Sequence, residues 1–282
     1  MARALITSLA IVLSTVMMTL RVPLLRAAEQ PASATADLQP SPYYDAEAER
    51  RLLDMANRER AKAGLPPLQV DDGLARAARE HGAAMAAQRK LSHQLSGEPN
   101  LSHRLAANTK THLDQAGENV AFAGSVDQAQ DSLMHSPPHR ANLLNAGYNV
   151  AGFSVVRSGS LLYVTQDFGH SLHSYSNEEA EVLTAGSVDR IRAETHLPVL
   201  QRMDSSEAAA ASCAMADANS LHSPALHARE ILRYTTAQPQ NVPAAASPTI
   251  ASRSVRAFAV GSCYARTATY PTGVYWVALL FY

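Results

Sequence analysis

Gly117-Glu118-Asn119-Val120-Ala121 and, shortly after it, Ser136-Pro137-Pro138-His139-Arg140-Ala141-Asn142-Leu143-Leu144-Asn145 decide how this chain is read. The two blocks bring a carboxylate, an imidazole, a guanidinium and Asn amides together within fewer than thirty residues. Gly and Pro, which free or restrict the backbone, set the directions of these side chains in place of a long helix. Ser92-His93 lies upstream and Tyr163-Val164-Thr165-Gln166-Asp167-Phe168 downstream.

Working outward, Asp45 to Ala63 has the three-to-four spacing of a helix, with Leu52, Leu53, Ala56 and Arg60 on one side and Gly64 as its stop. Leu65-Pro66-Pro67-Leu68 must be extended, because proline forbids a continuing helix. Asp71 or Asp72 caps a second helix to about Gln88, with Leu74, Ala77, Ala78, His81 and Met85 inward, so His81 reads as a core histidine. A third helix is expected from Val126 to Met134, capped by Ser125 or Asp127 and ended by Pro137 and Pro138. In a purely scaffolding role, the alternative to a functional cleft, Glu118 would hold the loop after Gly117 and Asn119 would brace a turn. Ala151–Val156 and Leu161–Phe168 form a hairpin around Arg157-Ser158-Gly159-Ser160.

In combination these motifs resemble the CAP superfamily (cysteine-rich secretory proteins, antigen 5 and pathogenesis-related 1 proteins; the SCP domain), with the SPPHR form of bacterial members. The resemblance covers Asp45 to Gly169 and implies an α/β fold, a three-layer α-β-α sandwich with a mostly antiparallel central sheet. It implies a cleft lined by two His and two Glu. His93 resembles the first His and Glu118 the Glu of the GEN motif. Ser136 stands where the second Glu would be and Leu162-Tyr163 where a Gly-His pair would be, so His139 takes the second imidazole position by inference. The candidate cleft is therefore His93, Glu118, Asn119, His139 and Arg140.

Two imidazoles and a carboxylate suit Zn or another divalent metal, giving a tentative metal set of His93, His139 and Glu118. They suit acid–base work equally well. No catalytic role is assigned. The leading expectation is a non-enzymatic module binding a small-molecule, lipid, peptide or cell-wall ligand. A metal-dependent hydrolase or peptidase using the same cleft, and a structural envelope interaction protein, are the alternatives.

Over 282 residues the net charge is -1, which does not call for nucleic acid. Arg3 and the apolar run Ala4 to Leu20, followed by Ala27 and Ala28, read as a signal peptide over 1–28 or an uncleaved anchor. Membrane association is expected only through that uncleaved segment, and the location is secreted, periplasmic or cell envelope. A flexible linker is expected over 29–44 and the CAP domain over 45–172. Cys213 and Cys263 fit an oxidising compartment as a helix-to-sheet disulfide, with two buried free thiols as the alternative.

The remaining stretch, 176–282, reads as a degenerate repeat without the site. Leu197-Pro198-Val199-Leu200-Gln201 echoes Leu65-Pro66-Pro67-Leu68-Gln69, and Tyr275-Trp276-Val277-Ala278-Leu279-Leu280-Phe281 echoes Leu162 to Phe168. The first echo lies 132 residues downstream and the second 113, so about 19 residues are missing between them, and no GEN-like or SPPHR-like block survives there.

Overall fold

The computed structural model describes residues 41–223 and 225–282. The expected signal segment and nearly all of the linker lie outside the described residues. In chain order the first half comprises β1 (Tyr43–Tyr44), α1 (Ala46–Lys62), β2 (Gln69–Val70), α2 (Asp72–Gln88), α3 (Leu101–Asn108), β3 (His112–Ala123), α4 (Val126–His135), α5 (Pro137–Leu143), β4 (Val150–Ser158) and β5 (Leu161–Leu172). The second comprises α6 (Asn177–Glu194), β6 (Gln201–Arg202), α7 (Ser206–Asp217), β7 (Glu230–Thr236), a 3₁₀ turn (Ala244–Ala246), α8 (Ser247–Ile250), β8 (Ala257–Ala265) and β9 (Val274–Phe281).

Short polar side chains set the helix starts by accepting orphan backbone N–H groups. Asp45 accepts from Ala48 at 2.9 Å, Asp71 from Leu74 at 2.8 Å and Ser125 from Gln128 at 3.2 Å. The linker expected to reach residue 44 ends earlier, because Tyr43 and Tyr44 pair with Arg157 and Val156 as an edge strand. Pro137 and Pro138 close α4 as expected, yet they also open α5. The first turn of a helix has no use for the missing N–H and accepts the fixed φ.

The first sheet has the order β1-β4-β5-β3, with β2 added in parallel to β4 and the other pairs antiparallel. Period-two alternation sends opposite faces of the sheet to different helices. Val120, Val156 and Tyr163 pack on Met85 and Ala86 of α2. Ala121, Phe153, Val155 and Phe168 pack on Leu52 and Ala56 of α1 and Ala129 and Leu133 of α4. Helices therefore cover both faces, making three α-β-α layers. Gly152 permits this closeness: a Cβ there would overlap the backbone of Leu74 and Ala75 in α2.

Glu118 and Asn119, which the scaffolding alternative places in a loop and a turn, lie inside β3, paired with Asp167 and Gln166. The polar sequence of β3 hides it from a periodicity reading, since its buried polar groups are satisfied by neighbours from elsewhere in the chain.

The second sheet, β6-β8-β9-β7, has β6 parallel to β8 and antiparallel pairs otherwise. That is the arrangement of β2, β4, β5 and β3. Three landmarks recur in equivalent places. Buried Arg60 donates to the carbonyls of Pro66, Leu143, Asn145 and Tyr148, and buried Arg192 to those of Pro198, Ile250 and Ser252. Glu49 accepts from the Val155 N–H and Glu181 from that of Ser262. A Cβ on Gly261 would overlap Ala208 and Ala209 of α7, as one on Gly152 would overlap α2.

Cys213 on α7 and Cys263 on β8 form the expected disulfide, with Cα atoms 5.0 Å apart. The two halves are tied by Arg266, which donates to the carbonyls of Ala106 and Thr109 at 3.0 and 2.8 Å. Buried His112 meets Tyr264 and Tyr275 edge-on, with ring centres 5.1 and 5.8 Å away. Among the described residues no helix is long and apolar enough to cross a membrane.

Candidate functional site

The site is built around β3, an outer strand of the first sheet. Glu118 faces the α2 layer and Asn119 the opposite layer, because neighbouring residues of a strand point to opposite faces. Glu118 is 7% exposed. Its Oε1 is 2.9 Å from His93 Nδ1, and its Oε2 accepts a short charge-assisted bond from Nη2 of buried Arg104 on α3. Arg104 also donates to the carbonyls of His93 and Pro99 at 3.1 and 3.2 Å. It thereby ties the His93 loop to the carboxylate.

Two further groups complete this buried network. His81 Nε2 lies 2.8 Å from the Ser92 carbonyl and 3.7 Å from Glu118 Oε2, while its Nδ1 lies 2.7 Å from Glu98. The ring is fully enclosed, as the core reading expects, but it borders the site. Asp167 is opposite Glu118 on β5. Burial first, and then the Glu118 charge, push the Asp167 carboxyl well above the usual carboxylate range. Asp167 therefore gives up its proton much less readily than an ordinary carboxyl.

On the other face, amides lock α5 to β3. Asn119 Nδ2 donates to the His139 carbonyl and to Gln166 Oε1, both at 3.0 Å. Asn142 Nδ2 donates to Asn119 Oδ1 at 3.0 Å and to the Glu118 carbonyl at 3.2 Å. This holds the His139 ring 6.3 Å, centre to centre, from that of His93. Burial and the nearby His93 lower the His139 pKa. The His93 side chain is 58% exposed and forms the open side of the site. Phe122, four residues along β3 on the Glu118 face, is 56% exposed.

The structure thus brings His93, Glu118, Asn119 and His139 together. Arg140 is different: it lines a separate cavity with Met134, His135, Pro137, Ala141 and Leu144. One residue along a helix turns a side chain by about 100°, which sends Arg140 away from His139. Arg104, Glu98 and Asp167 were missed. Asp167 sits in a strand motif already quoted, but its pairing with Glu118 follows from sheet register alone.

The metal set His93, His139 and Glu118 falls short of a three-ligand site in this geometry. Glu118 is engaged by His93 and Arg104, which leaves two imidazoles against the three protein ligands usual for catalytic zinc. Turning Glu118 to an ion would strand the buried Arg104 cation. Among the described residues no group of three or more His, Cys, Asp or Glu is placed to hold an ion.

The family model of the cysteine-rich secretory protein (CAP) family matches residues 53–168. The uncharacterized protein YkwD of Bacillus subtilis is 33% identical over 124 residues, 43% of this chain and 46% of that protein. The uncharacterized membrane protein YlbC of the same organism is 36% identical over 124 residues, 43% of this chain and 34% of that protein. The chain therefore spans less than half the length of either relative. A crystal structure of an extracellular protein containing a SCP domain from Bacillus anthracis aligns at 28% identity and a TM-score of 0.41, covering 44% of this chain and 41% of that one.

Proposed function

Because the CAP family model matches residues 53–168, we propose that this chain is an exported protein whose CAP domain binds a ligand at the His93–His139 cleft without turning it over. The observation that carries this reading is the neutralised carboxylate. Glu118 is held by Arg104 and His93 and is therefore a poor free base or metal ligand. Asp167 beneath it is held well above the usual carboxylate range by burial and by the Glu118 charge. What faces solvent is a pair of imidazoles on a braced frame, with Phe122 providing an apolar contact nearby. A lipid, peptide or cell-wall component offering a polar group to the imidazoles and apolar surface to Phe122 suits this arrangement.

Export is favoured by the N-terminal apolar run and by the disulfide Cys213–Cys263, which persists in an oxidising compartment. Residues 176–282 are, on this reading, a shrunken copy of the CAP domain. It keeps the sheet order, the buried arginine and the close-packing glycine, and its β7 lacks the Glu-Asn pair of β3.

The test uses the purified full chain, wild type against His93→Ala and His139→Ala. Metal content is measured alongside binding of lipid vesicles, peptides and cell-wall fragments, with and without a chelator. Binding that survives chelation and weakens in both variants is the expected result. Stoichiometric zinc with hydrolysis lost in His93→Ala would replace this reading with the hydrolase. Binding unchanged in both variants would leave the cleft a scaffold.

A further inference from the structure

We infer that the C-terminal unit carries a second, separate ligand site that takes an anionic head group, a phosphate or carboxylate, attached to an apolar body. The site is a cavity of about 350 Å³ walled by Arg192, His196, Arg253 and Arg256 together with Leu197, Pro198, Val199 and Val255. It lies in the half of the chain without a counterpart to His93 or Glu118, and it does not rest on the reading of their cleft.

A comparison within the molecule singles out Arg192. In the first unit Arg60 commits its whole guanidinium to carbonyls: Nε to Pro66, Nη1 to Leu143 and Asn145, and Nη2 to Tyr148 at 3.0 Å. In the second unit Arg192 repeats the first two roles, with Nε on Pro198 at 2.9 Å and Nη1 on Ile250 and Ser252 at 3.0 and 2.9 Å. Among the described residues no partner takes Nη2. Arg192 is only 2% exposed and lines the cavity, so Nη2 is the part of its guanidinium left to meet a ligand there.

The remaining walls agree with an anion. Arg253 and Arg256 are exposed, and among the described residues neither they nor Arg192 and His196 enter an ion pair. No carboxylate lines the cavity. Arg256 is held by the carbonyls of Arg253 and Val255, which fixes its stem beside the opening. Guanidinium forks match the oxygens of carboxylate and phosphate in pairs, and several around one cavity neutralise a dianion. Val199, 73% exposed beside Leu197 and Pro198, supplies apolar surface beside those charges.

Titration calorimetry on the full chain at fixed pH and low salt tests this, with hexyl phosphate, inorganic phosphate and hexanol as probes. Flotation with phosphatidylglycerol vesicles distinguishes a membrane head group from a free phosphate. Arg192 is left intact because it staples the fold. The variants are Arg253→Ala/Arg256→Ala and Val199→Asp, whose side chains are exposed, with Arg58→Ala on α1 as the control. We expect hexyl phosphate or the vesicles to bind the wild type and the control, each variant to lose at least tenfold in affinity, and hexanol not to bind. Binding of inorganic phosphate with the same losses identifies a free anion as the ligand. No binding by any phosphate probe, or equal binding by wild type and both variants, overturns the assignment.

Discussion

Replacing Glu118 by Gln keeps the shape of the side chain and removes the charge that faces buried Arg104. Breaking a buried ion pair from one side costs about 3–5 kcal/mol when nothing else compensates the stranded charge. Three features reduce that here. Glu98 Oε2 remains 3.7 Å from Arg104, and Arg104 keeps its bonds to the carbonyls of His93 and Pro99. Asp167, freed from the Glu118 charge, also ionises more readily and returns part of a counter-charge. The expected loss is about 2–3 kcal/mol at pH 7. For an ordered unit of this size, that corresponds to a Tm lower by roughly 5–10 °C. Differential scanning calorimetry of wild type, Glu118→Gln, Arg104→Met and the double variant measures it. Because the single variants each strand the other partner, the double variant should lose at least about 1 kcal/mol less than their sum, on the order expected for contacting residues. A Tm for Glu118→Gln indistinguishable from wild type, or strict additivity in the cycle, would refute the reasoning.

Asp167→Asn should raise stability at pH 7, because the folded carboxyl binds its proton more tightly than the unfolded one. That disadvantage grows by about 1.4 kcal/mol for each pH step of one as pH rises above the unfolded pKa, until the folded carboxyl also ionises. The gain must therefore shrink toward pH 4, and a pH-independent gain contradicts the assignment. His112 and His139 have lowered pKa values, chiefly from burial, so the unfolded chain binds their protons more readily and stability falls as pH drops below about 6.5. His112→Phe should flatten that fall in a melting series from pH 8 to pH 5, and an unchanged slope would count against it. Reducing Cys213–Cys263, which closes a loop of 50 residues, should cost about 4 kcal/mol by denaturant titration. Gly152→Ala and Gly261→Ala should each cost about 3 kcal/mol, since the added methyl meets helix backbone and not a movable side chain; a loss below about 1 kcal/mol in either would show that the helices can retreat.

How far the sequence could be read varies by element. The first two helices, and the cap at Asp71, were legible because apolar spacing, caps and stop signals are local. The hairpin of β4 and β5 was legible from alternation around Gly159, which adopts φ of 61°. The strand β3 was not. Gly117, Glu118 and Asn119 break the apolar alternation because the polar partners that satisfy them, Arg104, His139 and Gln166, come from other elements. The echo of Leu65 to Leu68 at Leu197 to Leu200 was legible as a pattern, whereas the recurring roles of Arg60 and Arg192 emerged only in three dimensions.

By itself the chain's order of residues determined the helix starts, the hairpin and the residue types available to the cleft, since caps, turns and periodicity act over a few neighbours. Only the tertiary structure decided what those types do. Sheet register sets Asp167 against Glu118, and α3 delivers Arg104 to the same carboxylate. Helix phase turns Arg140 away while keeping His139 beside His93. Charge and proton affinity depend on distance and burial, and both are properties of positions that folding alone brings together.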